Sequence, residues 1–208
     1  NLSFIDFMSD TFISREQAQS DMLSAAAFLA ENIKSSDGHA EAMNVIVPLY
    51  LAKGDVDLAA ELSNQIAEPF ARDKLLMQIA EKCAEVDDDE YAVQLADAIE
   101  EHGLRAQAIE HVANVKAAKG QVEKAREIAA PLEHPDFVLA GIAVSQAADG
   151  NDAAADATVQ EIDFPLARAS ALSQIASVRI ADGKAVAAEG VLERAVTAAL
   201  EIDHDEEQ

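Results

Sequence analysis

The sequence predicts an all-α protein, and three observations carry that expectation. Alanine supplies 44 of the 208 residues, only 4% are aromatic, and tryptophan is absent. Alanine is the best helix former and a poor strand former, so this composition favours close-packed helices over a β-sandwich or barrel. Next, turn residues recur: Gly54, Asp87, Gly120, Gly150 and Gly183 stand 33, 33, 30 and 33 residues apart. Finally, apolar residues keep fixed offsets from these five anchors at helical spacing. The expected architecture is about five to six helix–turn–helix units of ~33 residues.

Residues 1–9 read as an apolar N-terminal segment. Phe4, Phe7 and Phe12 make the start of the chain rich in phenylalanine, suited to capping the first unit or to docking on a membrane or partner, although the basic residues that help surface binding are missing. Projecting the 33-residue frame back from Gly54 places an N-terminal unit around Asp21, with Ala26 and Ile33 in its second helix. Its first helix is poorly patterned, since Asp10 stands where later units have Leu, Ile or Met. In those later units the first helix carries Met43, Leu76, Ile109, Leu139 and Leu172 eleven residues before the anchor. Eight before it stand Ile46, Ile79, Val112, Ile142 and Ile175. The second helix carries Ala59, Ala92, Ala125, Ala155 and Ala188 five residues after the anchor, small enough for close helix approach. Twelve after it come Ile66, Ile99, Leu132, Ile162 and Ala195. The repeat domain is expected over 10–200, and 201–208 reads as a disordered acidic tail.

Local chemistry supports the same breaks. Glycine at an anchor suits a helix C-cap, where left-handed geometry disfavours a Cβ; Asp87 tolerates it less comfortably. Pro69, Pro135 and Pro165 fall fifteen residues after an anchor, near the first turn of the next helix. Pro48 lies inside an expected helix and should kink it. The 30-residue spacing has a definite location. Pro135 to Gly150 is 15 residues and Pro165 to Gly183 is 18, so the first helix before Gly150 is short by nearly one turn.

This pattern resembles the tetratricopeptide family of helix–turn–helix repeats over about residues 10–200. The resemblance rests on the apolar residues eleven and eight before the anchor, a small residue seven before it, the anchor glycine, the alanine five after it, and a closing proline. The units run to 33 rather than 34 residues. The aromatic expected four before the anchor survives only as Tyr50, with Cys83, Lys116, Gln146 and Arg179 elsewhere. Ankyrin repeats share the period, but their Thr-Pro-Leu-His signature is absent. The resemblance implies a right-handed α-α superhelix, a solenoid whose first helices line a concave face that binds a partner protein or peptide.

That face is read from positions thirteen, ten and six before each anchor. They are Glu41, Asn44 and Pro48; Lys74, Met77 and Glu81; Gln107, Glu110 and Asn114; Phe137, Ala140 and Val144; and Ser170, Ser173 and Ser177. The face runs from mixed charge through an apolar strip to a serine row. A carboxylate clamp of the tetratricopeptide kind wants Lys, Arg and Asn, and only Asn44, Lys74 and Asn114 answer it. A second candidate surface lies on the last helix. Leu192, Val196 and Leu200 are spaced i, i+4, i+8, where earlier units place Ser63 and Ala67, Ala96 and Glu100, Ala129 and Glu133, and Val159 and Asp163. This stripe is the expected site of pairing with a second copy or with a partner domain, unless the helix tucks this face inward.

Catalytic and metal motifs are absent. No phosphate loop, dinucleotide fingerprint, zinc-protease or nucleophile-elbow pattern occurs. Glu110 and His111 are neighbours in a helix and so point about 100° apart. The runs Asp87-Asp88-Asp89-Glu90 and Asp149-Gly150-Asn151-Asp152 lack EF-hand spacing and read as turns with acids at a helix start. Cys83, the single cysteine, reads as a packed thiol, and neither a disulfide nor a cysteine-based zinc cage can form within the chain. Arg72, Arg105 and Arg168 recur fifteen before an anchor, with Glu68, Glu101 and Asp163 four or five residues earlier as candidate ion-pair partners.

Net charge is −24, from 15 basic and 39 acidic residues. Such a surface repels phosphate, so nucleic acid is excluded as a partner and a basic protein suits it. No apolar run reaches the roughly 18–20 residues of a membrane span. These readings favour a non-enzymatic protein-binding scaffold without cofactor or metal, ahead of a self-associating structural homodimer. An enzyme ranks last, because the face offers scattered acids and serines without a base. A cytoplasmic location is expected; the chain begins with Asn rather than Met, which leaves a periplasmic or exported one open.

Overall fold

The computed structural model describes residues 12–205, and among them there are eleven α-helices and no strand. Asp10, Phe4 and Phe7 lie outside the described residues. The helices are α1 (Met22–Glu31), α2 (Ser36–Lys53), α3 (Val56–Asn64), α4 (Pro69–Glu85), α5 (Asp89–Asp97), α6 (His102–Ala118), α7 (Val122–Ala129), α8 (Asp136–Ala148), α9 (Asp152–Gln160), α10 (Pro165–Ala181) and α11 (Ala185–Asp205). The chain divides into two compact units between Arg105 and Ala106, within α6. No helix among the described residues is long and apolar enough to cross a membrane.

The anchors define the helix breaks. α2, α4, α6, α8 and α10 each end one or two residues before an anchor. Gly54, Gly120, Gly150 and Gly183 have φ of 83°, 73°, 79° and 75°, and Asp87 is the one non-glycine with positive φ among the described residues, at 67°. The alanine five residues on is sealed in every case: Ala59, Ala92, Ala125 and Ala155 are fully buried and Ala188 nearly so. Without a longer side chain to hold them apart, paired helices pack backbone close to backbone. Ile46, Ile79, Val112, Ile142 and Ile175 fill the space between, all buried.

In the first unit, α2 packs on α1, α3 and α4, while α4 also meets α3 and α5. In the second, α8 packs on α7, α9 and α10, and α10 also meets α9 and α11. Here one core cluster joins Ala113, Ala117, Ala125, Ala129, Val138 and Ile142; another runs from Ala140 to Ala198 through Leu172, Ile175 and Val191. Burying each Leu, Ile or Val is worth about 1.5–3 kcal/mol, and in these two clusters they pack among a larger number of alanines.

Four of the five residues four before the anchor are interior whatever their chemistry, and the fifth, Gln146, is half-buried. Tyr50, Cys83 and Lys116 are buried, and buried Arg179 reaches Asp152 at 3.3 Å.

The N-terminal projection needs correction. Asp21 is no left-handed C-cap: its φ is −154°, and its carboxylate caps α1 by accepting from Leu23 N and Ser24 N. Those bonds hold its pKa below the usual range, Ser24 contributing most. A short 3-10 turn, Gln17–Gln19, stands where the 33-residue frame expects a first helix. Ala27 rather than Ala26 is buried, one residue out of frame, and Ile33 is partly exposed.

Two other expectations also change. The acidic end continues as helix through Asp205, with Arg168 hydrogen-bonded to Glu201. Glu68 and Glu101 are N-caps rather than partners of the recurring arginines. Glu68 accepts from Phe70 N and Ala71 N, and Glu101 from Gly103 N and Leu104 N. Arg105 and Arg168 instead donate to the carbonyls of Ile99 and Ile162, closing the preceding loop. Arg72 forks onto Asp73 and meets Glu100 at 3.2 Å. Pro48 sits inside α2, which continues to Lys53.

Candidate functional site

The site is built on α8 and the helices beside it. α2, α4, α6 and α10 all begin eighteen residues before their anchors, whereas α8 begins only fourteen before Gly150. Its missing turn is therefore the first one. Of the concavities beside this short helix, two hold the candidate residues.

The larger is an open groove of about 700 Å³ over α6, α8 and α10. Glu110, Asn114, Phe137, Ala140, Val144 and Ser170 all line it, so these concave-face residues come together as the helical spacing predicts. Ser145, Asp149, Gln174 and Lys119 contribute polar groups. Burial pushes the Glu110 carboxyl above its ordinary pKa, and His111 only partly offsets this. Small residues keep the floor low. A Cβ on Gly141 would stand 2.4 Å from Asn114 Oδ1, so only glycine lets that amide lie against α8. Asn114 Oδ1 is buried there without a hydrogen-bond donor.

The smaller is a pocket of about 520 Å³ at the start of α8, lined by His134, Asp136, Phe137, Asp163, Phe164 and Pro165. Phe137 and Phe164 meet edge to face, centroids 5.8 Å apart and planes at 75°, yet remain 39% and 45% exposed. Phe137 lines both concavities. Asp136, buried, fixes the pocket wall by accepting from Asp163 N at 2.7 Å and Phe164 N at 2.9 Å. Asp73 does the same for Glu100 N and Glu101 N at 3.0 and 2.9 Å. Both aspartates stand fourteen residues before an anchor, a recurrence the sequence reading missed. Their bonds reach 27 or 28 residues ahead, and the only sequence signal is the shared offset.

The other candidate residues are scattered. Asn44, Lys74 and Gln107 are exposed, and Met77 and Glu81 half-buried. The Lys74 ammonium lies 4.4 Å from the centre of the Phe70 ring. Ser173 and Ser177 are exposed, but their hydroxyls donate to the carbonyls of Ala169 and Ser173 on their own helix, so the serine row is largely self-satisfied. On α11, Leu192, Val196 and Leu200 are 43%, 60% and 59% exposed. Nine residues after the anchor, the earlier helices bury Ser63, Ala96, Ala129 and Val159; thirteen after it, Ala67, Glu100, Glu133 and Asp163 are exposed even where another helix follows. The first of the two positions is therefore covered in the earlier helices and the second is not.

Cys83 is buried in α4, and burial, with Asp88 and Asp57 nearby, pushes its thiol up to about 11. Asp88 caps α5 and Asn151 caps α9, each accepting one backbone N–H. Among the described residues no three His, Cys, Asp or Glu side chains group as metal ligands. No family model, curated protein or solved structure matches the chain.

Proposed function

We propose that this chain is a non-enzymatic interaction module of tetratricopeptide-like helix pairs, binding a segment of a partner protein in the groove over α6, α8 and α10. The groove carries the reading: about 700 Å³, open, and lined from three successive first helices by the positions a concave face would use. The common left-handed anchors and the sealed alanines five residues on support the repeat reading. The polar groups of the groove lack a base paired with a nucleophile, which favours binding over catalysis. Ser170→Arg places a long charged side chain in the groove without touching the core. A defined set of proteins retained from lysate by the wild-type chain and by Leu192→Glu, but lost by Ser170→Arg, supports the groove. Equal retention by all three removes it.

A second reading is self-association through α11. The exposure of Leu192, Val196 and Leu200 favours it, since a contiguous apolar stripe marks an interaction surface. Light scattering should then give a dimer for wild type and a monomer for Leu192→Glu/Val196→Glu. A monomer in both cases eliminates this reading.

A further inference from the structure

Resting on the groove reading above, we propose that the partner segment carries a bulky apolar side chain for the Phe137–Phe164 pocket and, within a few residues, a lysine or arginine for the adjoining groove. The apolar half follows from the short α8. Where the other first helices carry a further turn, α8 has none, and the pocket lies at that end. Two of the chain's seven phenylalanines meet there, both more than a third exposed. A rigid aromatic pair in a concavity is the form taken by interface pockets that receive one large side chain. The Asp136 carboxylate ties down the backbone on which Phe164 sits, which favours a preformed pocket.

The cationic half follows from charge. Glu110 and Asp149 line the groove, and Asp136 and Asp163 line the pocket, against one lysine, Lys119, in the groove and one histidine, His134, in the pocket. A chain of net charge −24 adds a long-range attraction for a basic segment and repels an acidic one. The phenylalanine faces also suit a cation, and α4 makes that pairing internally between Lys74 and Phe70. Because Phe137 belongs to both concavities, one short segment reaches both without spanning a gap.

Selection from a phage library of random peptides on the immobilised full chain tests this directly. The enriched peptides should pair Phe, Tyr, Trp, Leu or Ile with Lys or Arg a few residues away. A synthetic peptide from the pool should bind about tenfold more weakly to Phe164→Ser, and more weakly to Glu110→Gln/Asp149→Asn. Serine is a favourable N-cap, so Phe164→Ser keeps the start of α10; Phe137→Ala serves if that variant loses helicity by circular dichroism. Acidic or wholly polar enriched peptides, no enrichment, or equal affinity for wild type and the phenylalanine variant overturn the inference. If enriched peptides lack the pattern but are displaced by Ser170→Arg, the groove reading stands and only the partner chemistry falls. Peptides indifferent to every one of these variants sink both.

Discussion

A carboxylate with two backbone N–H groups on it is a small feature with a large lever. Asp136 and Asp73 each satisfy two donors in a loop that no helix ladder serves. Removing such a charged acceptor strands those donors at a cost of about 1.5–3 kcal/mol. Asp136→Ala and Asp73→Ala should each lower the unfolding free energy by about that much in urea titration, while exposed Asp163→Asn should stay within about 0.5 kcal/mol of wild type. Cys83 gives a second residue-scale prediction. A thiol pushed up to about 11 and sealed in α4 is almost wholly protonated at neutral pH and out of reach. A disulfide reagent should leave the folded protein unmodified and titrate one thiol in concentrated guanidinium. Reaction of the folded chain at the unfolded rate would contradict the burial. The packed thiol was legible in the sequence, because Cys83 falls on an interior position of the frame. The aspartates were not, because their partners lie on another loop and a carboxylate in a helix ordinarily reads as surface.

At the scale of the element, the helix breaks were legible for a local reason. Each depends on one left-handed residue and on the alanine that lets the next helix fold back. The N-terminal projection failed for an equally local reason: Asp21 finds two N–H groups at the start of α1, which makes it an N-cap and shifts the buried alanine to Ala27. The groove was legible on α6 and α8, where offsets along each helix place Glu110, Asn114 and Val144 on one side. The pocket was only half legible. The shortened helix shows in the spacing, but Phe164 meets Phe137 through a fold-back that no periodicity encodes. Gly141 offers the test of how closely α6 and α8 are matched. Glycine inside a helix costs about 0.8–1 kcal/mol relative to alanine. Here a Cβ would stand 2.4 Å from Asn114 Oδ1, so the amide must swing aside and Gly141→Ala should gain less than its better propensity offers. In an Asn114→Ala background the same change should stabilise by up to about 1 kcal/mol. A thermal-melt double-mutant cycle with no coupling between the two positions would refute the close approach.

For the molecule as a whole, electrostatics is the dominant variable, since 39 acidic residues face 15 basic ones. Self-repulsion of that surplus works against the compact state and is screened within about 8–10 Å at ordinary salt. Protonation relieves it as pH falls toward the carboxylate range. Glu110 acts in the same direction: its folded pKa is raised by burial, so the stability it costs at neutral pH is recovered on acidification. Asp21 and Glu101 act oppositely. Backbone donors hold both below the usual range, Ser24 chiefly for the first and Leu104 for the second. Their stabilisation is therefore complete above the ordinary carboxylate pKa of about 4 and is lost as pH falls through their lower folded values. The melting temperature should rise from about pH 8 to about pH 5, then fall below about pH 4. Repeating the titration in about 1 M sodium chloride separates the causes, because screening at about 3 Å removes long-range repulsion but not hydrogen bonds at helix starts. The rise toward pH 5 should flatten in high salt, and the acid limb should persist. A rise unchanged by salt would assign it to buried groups such as Glu110 instead of to the net charge.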